Sequence, residues 1–157
     1  MTIRVGIGFD VHPFATVDRP LVLGGVRFEG ERGLAGHSDA DVVAHAVADA
    51  LLGASGLGDI GMHFPDTDPA WAGVDSMALL AEVVRLVVGA GWQPSNVDCS
   101  VVLETPKLAP RRVEMQVALS SVVGADVTVK GKRAEGLGAI GRGEGIACWA
   151  VALVEKP

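Results

Sequence analysis

Asp10 and His12 stand two residues apart at the end of a segment with strand character, Ile3 to Asp10 (IRVGIGFD). In an extended chain residues i and i+2 point to the same face, so this carboxylate and this imidazole can reach one metal ion. His45 lies in an Ala/Val-rich stretch with helical spacing. One carboxylate with two imidazoles is a ligand set suited to zinc, and three protein ligands leave a fourth position open, the mark of a catalytic site. Asp41, His45 and Asp49 recur at i, i+4 and i+8 and so share a helix face, where an acid beside His45 could fix its tautomer. The same residues also read as a surface Asp-x-His and a core histidine, because spacing alone does not bring His45 to Asp10.

His37-Ser38-Asp39 precedes a helix, where N–H groups and the positive dipole end favour an anion; an ordinary Ser/Asp cap is the competing reading. Asp59, Asp66 and Asp68 lie in a turn-rich stretch, Gly58 to Gly73, and such long loops often have a task, although turn acids are usually just solvated. His63 in the same loop reads as a loop histidine rather than a ligand. Gly136-Leu-Gly138-Ala-Ile-Gly141 matches G-x-G-x-x-G only formally, since a strand follows it and the acid required about 20 residues on is missing. Neither a P-loop nor a G-x-S-x-G elbow is present.

The elements that must position these residues alternate in type. Strands are expected at Ile3 to Asp10, Asn96 to Glu104, Val127 to Lys130 and Ile146 to Val154, with a hairpin at Leu21 to Phe28 turning on Gly24-Gly25. Helices are expected at Ala40 to Leu52, Ser76 to Val88 and Pro110 to Val123, the first capped by Ser38 or Asp39 with Asp41 as capping-box partner. The order β-β-β-α-α-β-α-β-β predicts an α+β fold, a two-layer sandwich of a mixed sheet with helices on one face. Something must cover the other face. Val127, Val129, Ile146, Trp149 and Val151 offer apolar material there, so self-association is expected.

The chain has 157 residues, half of them hydrophobic, which fits a single domain over 1–157 with a real core and excludes a disordered chain. Its net charge of −6 argues against a nucleic-acid partner. No apolar run reaches the roughly 20 residues a membrane span needs, and no signal peptide is visible, so a cytoplasmic location is expected. Cys99 and Cys148 fit no disulfide or metal pattern and read as reduced, buried thiols.

Three segments together carry a resemblance: GFDVHPF (Gly8 to Phe14), HSDADVVAHAVADALLGASGLGDIG (His37 to Gly61) running on into FPDTDP (Phe64 to Pro69), and GRGEGIAC (Gly141 to Cys148), with looser matches at Asn96 to Asp98 and Glu104 to Leu108. In this order they resemble the 2-C-methyl-D-erythritol 2,4-cyclodiphosphate synthase family of the non-mevalonate isoprenoid pathway. The resemblance implies that Asp10, His12 and His45 hold zinc and that His37 and Ser38 hold substrate beside it. It places Asp59 and Gly61 against the erythritol, and Phe64, Pro65, Asp66, Thr67 and Asp68 in a loop that covers the substrate. It gives Pro106, Lys107 and Leu108 to the cytosine, Glu135 to a second divalent ion (Mg2+ or Mn2+) on the diphosphate, and Arg142 and Glu144 to the neighbourhood of a threefold axis. The implied assembly is a homotrimer with active sites between subunits.

The implied reaction is intramolecular attack of the 2-phosphate of 4-diphosphocytidyl-2-C-methyl-D-erythritol 2-phosphate on its own β-phosphorus, with release of CMP. One stretch departs from the family pattern: where members read Lys-Ala-Thr-Thr-Thr-Glu, this chain reads Lys130-Gly131-Lys132-Arg133-Ala134-Glu135. Lys132 or Arg133 then takes over the phosphate contact, with His37 as electrostatic partner, or both cations face solvent and backbone N–H groups suffice. Ala139 likewise stands where the family often has an aromatic. A zinc phosphohydrolase and a non-catalytic trimeric binding protein are the rival readings.

Overall fold

The computed structural model describes residues 1–157. Strand β1 (Thr2–Pro13) is followed by a hairpin of β2 (Leu21–Leu23) and β3 (Val26–Phe28), then helix α1 (Val42–Ser55), a one-turn helix α2 (Ile60–His63) and helix α3 (Ser76–Gly89). Strand β4 (Gln93–Val102), helix α4 (Arg112–Val123), strand β5 (Asp126–Lys132), a short helix α5 (Gly138–Gly141) and strand β6 (Gly145–Lys156) complete the chain. The sheet order is β1-β6-β4-β5: β6 runs antiparallel to both β1 and β4, and β4 pairs in parallel with β5. The long helices pack on one face, which is the expected mixed-sheet α+β architecture.

Helix α1 lies at the centre of that layer. Eleven of its 14 residues are buried, so it is apolar nearly all round, as a helix between a sheet and other helices must be. It rests on β1 through glycine. A Cβ built on Gly6 would stand 2.2 Å from the Ala50 carbonyl oxygen, and one on Gly8 would stand 2.0 Å from that of Ala46. Only a residue without a side chain lets the two backbones approach this closely. Gly6, Gly8, Asp10 and His12 alternate with Val5, Ile7, Phe9 and Val11, so the same pleat that admits the helix also aims Asp10 and His12 at it.

Helix α1 begins two residues later than the sequence indicates, and its cap is Asp41, not Ser38 or Asp39. Ala40 has a left-handed backbone (φ 59°), which no helix can include. Asp41 Oδ1 accepts the N–H groups of Val43 and Ala44, both at 3.1 Å. Its two oxygens also accept Gly24 N–H (2.8 Å) and Gly25 N–H (2.7 Å) from the hairpin turn. One buried carboxylate therefore ties the β2–β3 turn to the start of α1, and the anion expected at this helix end is supplied by the chain itself.

The opposite sheet face is bare, though its residues differ from those expected. Val127, Val129 and Ile146 point into the helix layer and are buried. Ile3, Val5, Ile7, Phe9, Val11, Trp149 and Val151 are the exposed apolar residues, with the Phe9 and Trp149 rings 4.8 Å apart across the β1–β6 pair. Alternation along a strand fixes which residues share a face but not which face the helices take. Cys99 and Cys148 are free and buried, and the Cys99 sulfur together with burial pushes the Cys148 thiol well above its ordinary range, so it is inert.

Candidate metal centre and adjoining clefts

The pleat of β1 and the glycine-mediated seat of α1 bring Asp10, His12 and His45 together. Asp10 Oδ2 lies 2.9 Å from His12 Nε2 and 3.1 Å from His45 Nδ1, and all three ligand atoms fall within 4.8 Å of one another. Metal–nitrogen and metal–oxygen bonds of 2.0–2.1 Å give a tetrahedron edge of about 3.3 Å, close to both separations. Burial works to raise the Asp10 carboxyl, but the adjoining His12 and His45 rings outweigh it and hold the group at about 2. Burial works to lower His12, and its contact with Asp10 outweighs that and raises it.

The donor set fits a divalent ion for a further reason. His12 Nδ1 sits 2.9 Å from the Ala35 carbonyl, which can only accept, so the ring's proton is committed there. Nε2 is then a bare lone pair. It is a buried polar atom without a hydrogen-bond partner, because its close contact with Asp10 is not aligned as one. Such an atom calls for a cation. His45 is held on its far side: Nε2 lies 2.8 Å from Ser76 Oγ and 3.1 Å from Ser38 Oγ. The acids expected to steady it are used elsewhere, Asp41 as the helix cap and Asp49 as acceptor for Ile60 N–H (3.2 Å) at the start of α2.

These three residues form the floor of a cleft of about 460 Å³. His37 and Ser38 stand beside them, and Gly61, Phe64, Pro65 and Asp66 form the rim. Asp59, Thr67 and Asp68 do not line it in the single chain. The Asp59 carboxylate caps α2 through Met62 N–H (2.9 Å), and that of Asp68 caps a turn of 3-10 helix (Pro69–Trp71) through Ala70 N–H (2.9 Å). His63 Nε2 is engaged by the Leu57 carbonyl at 2.7 Å, in keeping with a loop histidine. Sequence reading overlooked Trp71, whose ring meets that of Phe64 edge-on at 4.8 Å and folds the rim over the floor.

A second cleft, of about 240 Å³, opens beside the end of β5. Pro106, Lys107 and Leu108 form one wall, and Lys132 and Arg133 form the other. Arg133 is ion-paired: its Nη2 and Nε donate to Glu104 Oε2 at 2.8 and 3.1 Å, and Ala134 N–H donates to Oε1 at 2.9 Å. Glu135 is exposed with a left-handed backbone (φ 55°), and Arg142 pairs with Glu144 at 2.7 Å on the surface, both outside the two clefts. His12 pairs with Ile146, Val102 pairs with both Ala147 and Lys132, so the two clefts lie at the same end of the sheet but on its opposite edges.

Fold and cluster together define an α+β protein with a candidate metal site on the floor of a cleft. The family model described as the YgbB family matches residues 3–155. A 2-C-methyl-D-erythritol 2,4-cyclodiphosphate synthase from Thermosynechococcus vestitus is 51% identical over 159 residues, covering 99% of this chain and 98% of that protein. A bifunctional IspD/IspF enzyme from Anaeromyxobacter sp. is 54% identical over 98% of this chain, which spans only 40% of that longer relative. The structure of IspF from Plasmodium falciparum in complex with CDP superposes with a TM-score of 0.84 at 34% identity, covering 99% of this chain and 97% of that one. The chain belongs to the YgbB family, alongside the 2-C-methyl-D-erythritol 2,4-cyclodiphosphate synthases.

Proposed function

We propose that residues 1–157 act as one catalytic domain that converts 4-diphosphocytidyl-2-C-methyl-D-erythritol 2-phosphate into 2-C-methyl-D-erythritol 2,4-cyclodiphosphate. An oxygen of the 2-phosphate forms a bond to the β-phosphorus, the bond from that phosphorus to the bridging oxygen breaks, and CMP leaves with the electron pair. The observation that carries this reading is the Asp10–His12–His45 cluster, with its bare His12 nitrogen, on the floor of a 460 Å³ cleft. When bound, Zn2+ at that cluster and Mg2+ or Mn2+ at Glu135 supply positive charge that offsets repulsion between the phosphates.

The chain's own residues do the positioning. His37, exposed beside the cluster, is the side chain available to a phosphate, since the Ser38 hydroxyl is engaged with His45 and Ala40. The rim of Gly61, Phe64, Pro65 and Asp66 closes over the erythritol and excludes water, carrying with it Asp59, Thr67 and Asp68 of the same stretch. Pro106, Lys107 and Leu108 take the cytosine, while Lys132 and Arg133 meet the diphosphate. A phosphate nucleophile is largely ionised at pH 7, so no general base is required. The barrier falls mainly because a flexible substrate is held folded, with attacking and leaving oxygens in line.

The two clefts adjoin most closely where the β5 edge of one copy meets the β1 edge of another, and substrate binds at that junction. Three copies closing over the apolar faces around Phe9 and Trp149 would provide that junction, with the surface pair Arg142–Glu144 near the threefold axis. No helix is long and apolar enough to cross a membrane, and two buried free thiols fit a reducing cytoplasm. Incubation of the purified protein with the cytidylated substrate, Zn2+ and Mg2+, followed by chromatography, tests the reading. CMP and the cyclic diphosphate are expected in equal amounts. Inorganic phosphate instead would mark a phosphohydrolase, and tight CDP binding without CMP release would mark a binding protein.

A further inference from the structure

His45 has two ring nitrogens, and only Nδ1 faces the cluster, 3.1 Å from Asp10 Oδ2. A neutral imidazole is a donor at one nitrogen and an acceptor at the other, so His45 can ligate through Nδ1 only if the proton sits on Nε2. Nε2 points toward two hydroxyls, Ser76 Oγ and Ser38 Oγ. A hydroxyl can donate or accept, so neither decides the tautomer alone. The group that decides it is Asp39. Its carboxylate can only accept, and Ser76 Oγ–H donates to Asp39 Oδ1 in a very short contact. With its single proton committed there, Ser76 Oγ has only lone pairs left, and it must accept from His45 Nε2–H.

The remaining groups agree with this arrangement. Ser38 Oγ accepts Ala40 N–H at 3.1 Å and lies 3.3 Å from Ser76 Oγ, to whose second lone pair it can donate. Asp39 is itself fixed by Ser76 N–H on Oδ2 (3.2 Å) and Asp41 N–H on Oδ1 (3.1 Å). Ser76 is fully buried, and neither it nor Asp39 lines the cleft, so neither is placed to touch substrate.

We infer that Asp39 and Ser76 are positioning residues: the hydrogen-bond relay Asp39–Ser76–His45 fixes the Nε2–H tautomer and turns the Nδ1 lone pair toward the metal position. It does for His45 what the Ala35 carbonyl does for His12, with a carboxylate acting through an intervening hydroxyl. The inference rests on the reading of Asp10, His12 and His45 as a metal site, and the experiment separates the two.

Zn2+ affinity is measured on the purified, metal-stripped full chain by competition with a chromophoric chelator, alongside the melting temperature of the metal-free protein. Wild type binding one Zn2+ per chain and His45→Ala losing it support the metal reading; equal binding by both overturns that reading and the relay with it. Given that result, Ser76→Ala is expected to weaken Zn2+ binding about 10- to 100-fold with little change in the metal-free melting temperature, and Asp39→Asn to shift it in the same direction. Asp75→Ala is the contrast. Asp75 caps α3 one residue earlier through Met77 N–H (2.8 Å), so its loss should lower the melting temperature and leave Zn2+ affinity alone. Wild-type affinity in Ser76→Ala, or an equal loss in Asp75→Ala, overturns the relay. If Ser76→Ala does not fold, nitrogen-15 NMR of the Zn2+-loaded wild type decides. A slowly exchanging, hydrogen-bonded Nε2–H on His45 supports the relay, and a freely exchanging one overturns it.

Discussion

Adding a single methyl group at Gly8 should cost the protein its metal before it costs the fold. A Cβ there would meet the Ala46 carbonyl oxygen at 2.0 Å and the Ala50 nitrogen at 2.5 Å, whereas ordinary contact begins at 3.4 Å. Helix α1 must therefore retreat from β1 by about 1.4 Å, the difference between 3.4 and 2.0 Å. His45 precedes Ala46 on that helix and Asp10 follows two residues after Gly8, so the retreat acts directly on their separation. It stretches the 3.1 Å contact to about 4.5 Å, well beyond the roughly 3.3 Å edge of a tetrahedral site. Overpacking of this kind costs about 1–3 kcal/mol, which a domain of this size can survive. Displacing a ligand itself by more than 1 Å should lower Zn2+ affinity by at least the roughly 10- to 100-fold that loss of an outer partner costs. Isothermal titration of Gly8→Ala with Zn2+, with thermal melts of the metal-free chain, reads both effects. Gly53→Ala is the control: its added methyl finds only the Ile7 carbonyl oxygen, at 3.8 Å, so it should gain about 0.5–1 kcal/mol of helix stability and bind Zn2+ normally. Wild-type Zn2+ affinity in Gly8→Ala would refute the claim that glycine sets the metal site.

Trp149→Glu places a charge in the exposed apolar face beside Phe9 and should convert the proposed trimer into monomers in sedimentation velocity, with loss of turnover; a variant that stays trimeric and active contradicts both the proposed interface and the proposed shared site. Arg133→Ala should lower turnover at least tenfold, about the loss of one charge-assisted contact, and adding Glu104→Gln should recover part of it, because the single variant leaves the Glu104 carboxylate beside the diphosphate. Wild-type kinetics in Arg133→Ala would remove Arg133 from the phosphate contact and leave the solvent-facing reading of the two cations standing. Burial tends to raise the Asp98 carboxyl, but hydrogen bonds from Lys130 and Thr128 hold it below its ordinary value. A depressed carboxylate contributes stability that is present above its unfolded value of about 3.9 and is lost as pH falls through the folded one. Asp98→Asn should therefore flatten the acid limb of stability against pH, by under about 1 kcal/mol for so exposed a pair; an unchanged limb rules the pair out as a contributor.

The β1 half of the candidate metal site was legible because its causes are local. The two-residue period of β1 puts Gly6, Gly8, Asp10 and His12 on one face, and the glycines announce a close neighbour. The Gly24-Gly25 turn and helix α3 follow from equally local signals. The start of α1 was not legible, since three residues in a row could cap it. The left-handed Ala40 and the hairpin N–H groups of Gly24 and Gly25 select Asp41, and both are tertiary facts. Strand β4 starts at Gln93, through Pro94, because a register shift between Pro94 and Asn96 relieves the ladder of the missing N–H. Ser76 lies 31 residues from His45, and Glu104 lies 29 from Arg133, so no periodicity connects either pair.

The sheet order favours more than one copy for the proposed reaction. Two of the three candidate metal ligands, Asp10 and His12, come from the end of β1, at one edge, and the cations and the Pro106–Leu108 wall adjoin the end of β5, at the other. Strands sit about 4.8 Å apart, so three intervals separate the edges by about 14 Å, with the ends of β6 and β4 between them. A nucleoside diphosphate lying across that gap within one chain would rest on the open end of the sheet, exposed to water on its flanks. Edge strands of separate copies can instead approach each other directly, bringing cleft to cleft and leaving the bare β1–β6 face to pack inward. One surface would then serve two ends: the apolar residues that cannot remain in water assemble the chains, and assembly completes a site that each chain carries in halves.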